Sequence, residues 1–216
     1  MKQDELFEAI RGGDEATIRR LLDQDPDLRT AASGGVSPIL YACYTGHASL
    51  APTLLQGGPP PSFAEACAIG DEIRARQLLE GDPSLLNEFT PDGFPPLGLA
   101  VFFRHPQLAK QLIERGADVH AHAKNAQRVA PLHAAVAVGD HETAALLLER
   151  GAEVNARQQG GFTPLHGAAS RGDAPMIELL LAARADRSLV TDDGKTAADI
   201  AIERGHATLA ERLRAT

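Results

Sequence analysis

Thr163-Pro164-Leu165-His166-Gly167-Ala168-Ala169 has a counterpart 33 residues earlier, Ala130-Pro131-Leu132-His133-Ala134-Ala135-Val136, and a looser copy at Ser37-Pro38-Ile39-Leu40-Tyr41-Ala42-Cys43. Thr196-Ala197 continues the series another 33 residues on. A fixed period of this length marks a repeat architecture, in which each unit buries its apolar face only against its neighbours. A second marker sets the register. Eight and nine residues after a recurrent slot, usually glycine, stands a pair of large aliphatic side chains. The slots are Gly13, Gly46, Gly70, Arg104, Gly139, Gly172 and Gly205; the pairs run from Leu21-Leu22 through Leu54-Leu55, Leu78-Leu79, Leu112-Ile113, Leu147-Leu148 and Leu180-Leu181. Only the last slot breaks the rule, with Leu213 followed by Arg214, as a terminal unit with no neighbour over its outer face would require.

Each unit decodes as a helix, a stop, a second helix and a loop. Ser37 or Thr163 can cap the first helix, and Pro38 or Pro164 fits its first position, where a missing N–H is harmless. The slot glycine ends that helix in a left-handed conformation. Asp140 and Asp173 then favour the start of the Leu-rich second helix through its dipole. Pro95-Pro96 and Ala130-Pro131 lack a capping hydroxyl, so those two starts are expected to be weaker by about 1 kcal/mol each.

With Thr163-Pro164-Leu165-His166-Gly167-Ala168 and Leu146 to Asn155 (Leu-Leu-Leu-Glu-Arg-Gly-Ala-Glu-Val-Asn) on the page, the chain resembles the ankyrin repeat family from about Asp4 to Arg214. The whole is similar to stand-alone bacterial ankyrin proteins. The resemblance implies an all-α solenoid of seven helix-turn-helix units, each with a short projecting β-hairpin, and one domain over residues 1–216. The units fall at about 3–34, 35–58, 59–89, 90–120, 121–155, 156–188 and 189–216. It also implies non-catalytic binding of a protein partner through the concave helix surface and the hairpin tips. In that family the His of the motif, here His133 and His166, hydrogen-bonds locally and braces the turn.

Departures from the pattern carry their own expectations. Gly46 and Gly70 are only 24 residues apart, and Gly57-Gly58-Pro59-Pro60-Pro61 stands where a hairpin should be. Three prolines lack the donors a strand ladder needs, so one finger is expected to be missing and to leave a gap in the row. Arg104 and Arg184 occupy positions that elsewhere hold glycine.

Composition removes several function classes. The 216 residues are 44% hydrophobic and 23% charged, with seven Phe, two Tyr and no Trp, which favours helices packed through Ala and Leu over a β-sandwich. The net charge of −8 offers no basic footprint for nucleic acid. The run from Thr30 to Ala64 has no Asp, Glu, Lys or Arg, yet its prolines and glycines break it as a membrane span. An acidic start, Met1-Lys2-Gln3-Asp4-Glu5, is unlike a secretory leader and points to a cytoplasmic protein. Cys43 and Cys67 are too few for a disulfide framework and read as buried hydrophobes. Gly194-Lys195-Thr196 lacks the first glycine of a phosphate-binding loop and reads as a hairpin tip entering a helix. His120 and His122 fall on one face of an extended segment without a third ligand nearby, so no metal, cofactor or catalytic residue is expected. His47, His105 and His206 directly follow slots and read as second-helix starts.

The family's groove positions are the two residues before each slot. Tyr44, Ile69, Phe102, Phe103 and Val138 there are expected to form an exposed apolar patch, extended by Phe94 and Phe162 towards the finger bases, with Ser170 and Arg171 as polar rim. A competing reading lets the missing finger and Arg104 shift the register and bury Phe102 or Phe103. The expected protein is a monomer that binds a protein partner; the alternative is a self-associating structural or assembly protein.

Overall fold

The computed structural model describes residues 2–214; Met1 and the last two residues of the seventh expected unit, Ala215 and Thr216, lie outside the described residues. The chain divides into two compact units, Met1–Pro96 and Leu97–Thr216. Fourteen α-helices form seven successive pairs among the described residues. The first unit holds α1 (Lys2–Gly12) with α2 (Glu15–Gln24), α3 (Pro38–Tyr44) with α4 (Ala51–Leu55), and α5 (Phe63–Ile69) with α6 (Glu72–Gly81). The second holds α7 (Pro96–Phe102) with α8 (Pro106–Glu114), α9 (Pro131–Val138) with α10 (His141–Glu149), α11 (Pro164–Arg171) with α12 (Ala174–Ala182), and α13 (Ala197–Glu203) with α14 (Ala207–Arg214).

First helices stack on first helices, α1 on α3 on α5 in one unit and α9 on α11 on α13 in the other. What lets them approach is a row of small residues. Alanine stands four residues before every slot, at 9, 42, 66, 100, 135, 168 and 201, and every one is buried. The carbonyl of each of these alanines accepts the N–H of the residue just after the slot, from Asp14 to Ala9 at 2.9 Å through His206 to Ala201 at 2.7 Å. This is the Schellman closure, and it needs a left-handed residue between. All seven slots provide one, including Arg104 at φ 64°.

Four of the seven second helices begin on an aspartate cap. Asp14, Asp71, Asp140 and Asp173 each accept a backbone N–H three residues on, at 2.9–3.1 Å. The two aspartates expected to act through the dipole therefore act as N-caps as well. The leucine eight residues after the slot is buried in six units; in the third, Leu78 is half-buried and Leu79 takes the core position.

The fingers differ from the expected hairpins. Only two isolated antiparallel bridges occur among the described residues, Ser33 with Val36 and Val190 with Thr196. Elsewhere a single turn closes the finger, as Thr90 N–H to the Phe94 carbonyl at 3.0 Å or Gln158 N–H to Phe162 at 2.9 Å. Helical segments begin one or two residues beyond these turns, so no chain is left for a second ladder pair. The Gly194-Lys195-Thr196 segment is such a tip: Thr191 N–H reaches the Lys195 carbonyl at 2.9 Å and Thr196 caps α13.

Residues 57–62 form no strand. Their stretch is pinned at both ends by arginines, Arg29 Nε donating to the Gln56 carbonyl at 2.9 Å and Arg74 Nε to the Pro61 carbonyl at 3.1 Å. The expected gap is bridged, because the neighbouring fingers meet. Gly35 lies so close to Pro91 that a Cβ on it would stand 2.9 Å from the Pro91 Cβ.

Candidate functional site

In the first unit, the three residues of the expected patch, Tyr44, Ile69 and Phe94, are half-buried. Ile69 is half-buried against the core formed by Leu6, Ile10, Ile18 and Leu21. Tyr44 packs its ring on Phe94 with centroids 5.8 Å apart. Burial, and after it the hydrogen bond with the Asp92 carboxylate, pushes the Tyr44 phenol far above its ordinary range. Tyr44 and Phe94 thus tie α3 to the finger that carries Asp92. Both side chains are half-buried.

In the second unit, Phe102 is 50% exposed at the end of α7, and Phe103 is half-buried. The two rings meet edge to face at 5.3 Å. Phe102 is therefore not drawn into the core, and the left-handed Arg104 preserves the register it was thought to disturb. Val138, Phe162 and Ser170 are half-buried. Phe162 turns an edge towards the His166 ring at 5.9 Å. Arg171 is exposed, but its Nη1 donates to the Ala137 carbonyl at 2.8 Å, so it also satisfies the end of the neighbouring helix. His47 does the same job in the first unit, its Nε2 lying 3.1 Å from the Arg11 carbonyl.

The motif histidines are buried and doubly bonded. His133 Nδ1 accepts the Ala130 N–H at 3.4 Å, which supplies part of the cap that Ala130 lacks. The Thr163 hydroxyl lies 2.8 Å from His166 Nδ1, so its expected role as a backbone cap is replaced by a bond to that ring. Burial lowers the pKa of both imidazoles, that of His133 to about 4.

Neither cysteine is set up as a nucleophile. Burial pushes the Cys43 thiol up to about 11 and raises that of Cys67 too, which disfavours the nucleophilic thiolate. His122 Nδ1 donates to the His120 carbonyl at 2.8 Å, and no three His, Cys, Asp or Glu among the described residues are grouped to hold a metal ion. Among the described residues no helix is long and apolar enough to cross a membrane.

A family model described as ankyrin repeats in three copies matches residues 63–158, and one described as ankyrin repeats in many copies matches residues 147–201. The chain belongs to the ankyrin repeat family. Ankyrin repeats are generally protein–protein interaction modules and are typically non-catalytic. Among curated proteins, human neurogenic locus notch homolog protein 4 is 33% identical over 139 residues, which is 64% of this chain and 6% of that protein. The chain thus corresponds to a small part of that relative's length.

Three exposed apolar side chains of these ankyrin repeats lie outside the expected patch: Ile73, Val190 and Ile202. Ile73 is 63% exposed three residues after its slot. That position is exposed in all seven repeats and holds a large aliphatic side chain only here, a signal the register already contained. Ile202, 47% exposed, stands three residues before its slot, where six other repeats bury Ile10, Cys43, Cys67, Val101, Val136 and Ala169. No described repeat follows to cover it.

Proposed function

We propose that the seven repeats act as one non-catalytic binding domain that holds a cytosolic protein partner against the exposed ends of its first helices and its finger tips. The observation that supports this most is Phe102, half in solvent and held edge-on by Phe103 at 5.3 Å. An aromatic ring kept in place yet exposed is the kind of anchor whose desolvation dominates protein interfaces, whereas rim charges add little. Phe103 and Val138 supply adjoining apolar positions in the repeat series, with Phe162, Ser170 and Arg171 at their margin. Tyr44, Ile69 and Phe94 contribute chiefly by holding their own unit. The protein is read as a monomer without nucleic acid, membrane or cofactor partners.

Partner capture from native cells tests the reading, comparing wild type, Phe102→Ala and Lys110→Ala, an exposed substitution on α8. Arg171 is unsuitable as the control because it bonds the Ala137 carbonyl. Loss of a partner with Phe102→Ala alone, at near-constant strength across salt concentrations, supports an apolar anchor. Equal capture by all three proteins rules Phe102 out. A stable dimer in light scattering that Phe102→Ala dissociates would assign the same ring to self-association.

A further inference from the structure

The short linker that replaces a finger leaves, beneath the meeting of Gly35 with Pro91, a cleft of about 510 Å³ wholly within the first unit. That size falls in the roughly 300–1,000 Å³ range of small-ligand sites. Two guanidinium groups line it, and both are fixed from behind. Arg29 spends Nε on the Gln56 carbonyl at 2.9 Å and Nη1 on the Leu22 carbonyl at 3.1 Å; Arg74 spends Nε on the Pro61 carbonyl at 3.1 Å. Among the described residues, Arg29 Nη2 and both Nη atoms of Arg74 have no hydrogen-bond acceptor or ion-pair partner. The carboxylate of Glu65, also in the lining, is already engaged at both oxygens, by the Ser37 hydroxyl at 2.6 Å and the Ser62 N–H at 2.7 Å. Glu88, at the lining's exposed edge, pairs with neither arginine. Phe89 and the prolines of the linker add apolar surface beside these donors.

We propose that this cleft binds an oxyanion, a carboxylate or phosphate, carried on a small apolar group. The paired Nη atoms of Arg74 present a planar, end-on fork that matches two oxygens of such a group. Because their Nε bonds hold both side chains already, little rotamer freedom is lost on binding. The apolar carrier rests on Phe89 and the prolines.

The full chain, labelled with ¹⁵N, is titrated with phenyl phosphate, phenylacetate and phenethylamine, following the Arg74 Nε–H and the amides of Ser62, Phe89 and Thr90. Saturable shifts with either anion and none with the amine are expected, and which anion responds identifies the oxyanion. Arg74→Gln is expected to weaken binding at least about tenfold, as befits loss of a charge-assisted pair. Glu88→Gln removes a repelling charge from the edge and is expected to tighten it severalfold. Should Arg74→Gln unfold through loss of the Pro61 tie, Glu88→Gln decides alone. No saturable shift with either anion, equal binding of the amine, or an unchanged affinity in Glu88→Gln would overturn the proposal and leave the arginines as clamps of the linker only.

Discussion

His166 Nε2 lies 3.1 Å from the carbonyl oxygen of Lys195 in the following finger, while its Nδ1 faces the Thr163 N–H at 3.2 Å. His133 repeats the relation with the Phe162 carbonyl at 3.2 Å. One ring ties its own helix start to the next repeat. Only the neutral imidazole with its proton on Nε2 can donate at one end and accept at the other.

A pH dependence follows. Burial holds His133 at about 4, below its ordinary 6.5. Between those values the unfolded chain binds the proton and the folded chain does not, so the contribution is complete above about pH 6.5 and is lost as pH falls towards 4. The loss amounts to up to about 3 kcal/mol. Urea midpoints from pH 7 to pH 4.5 are expected to fall in the wild type and to slope less in His133→Gln. Parallel slopes would mean that His133 titrates normally in the folded chain.

Slot glycines are not equivalent. At Gly46 an added Cβ meets nothing, and Gly46→Ala is expected to cost about 1 kcal/mol, the usual price of a left-handed alanine. At Gly172 the Cβ would stand 2.5 Å from the His206 ring. Gly172→Ala is therefore expected to lose at least twice as much stability, and adding His206→Ala should recover the difference, a coupling that a double-mutant cycle by urea denaturation measures. Additive effects would contradict the packing of His206 on Gly172.

The period of 33 residues and the slot with its leucine pair were enough to place all fourteen helices, because stacking repeats force the same buried positions to recur. The alanine four before each slot was equally legible and went unread. The site was less so. Whether Tyr44 faces solvent depends on how near the Asp92 finger comes, and whether Ile69 does depends on the neighbouring helix; neither distance is encoded in the repeat's own residues. Phe102 and Tyr44 hold the same place in the pattern, two residues before the slot, and differ in exposure for this reason.

Arg104 holds φ 64° at a slot where six repeats use glycine. A side chain there carries steric strain that glycine does not, partly offset by the greater freedom glycine gives the unfolded chain. Arg104→Gly is expected to raise stability by about 0.5–1 kcal/mol, read as a higher urea midpoint. A lower midpoint would show that the guanidinium makes contacts worth more than the strain.

Adjacent residues on α7 offer a check of exposure that needs no partner. Val101 is fully buried and Phe102 is 50% exposed, although the second is the larger and more apolar ring. If burial alone governed, truncating Val101 should cost about 2 kcal/mol, since the cavity left in a packed interior cannot collapse completely. Phe102 already keeps half its surface in solvent, so Phe102→Ala is expected to cost less than about 1 kcal/mol. Urea denaturation of the two single variants compares them directly. A larger loss for Phe102→Ala than for Val101→Ala would place that ring in the core, and the binding assay with Phe102→Ala would then report unfolding in place of recognition.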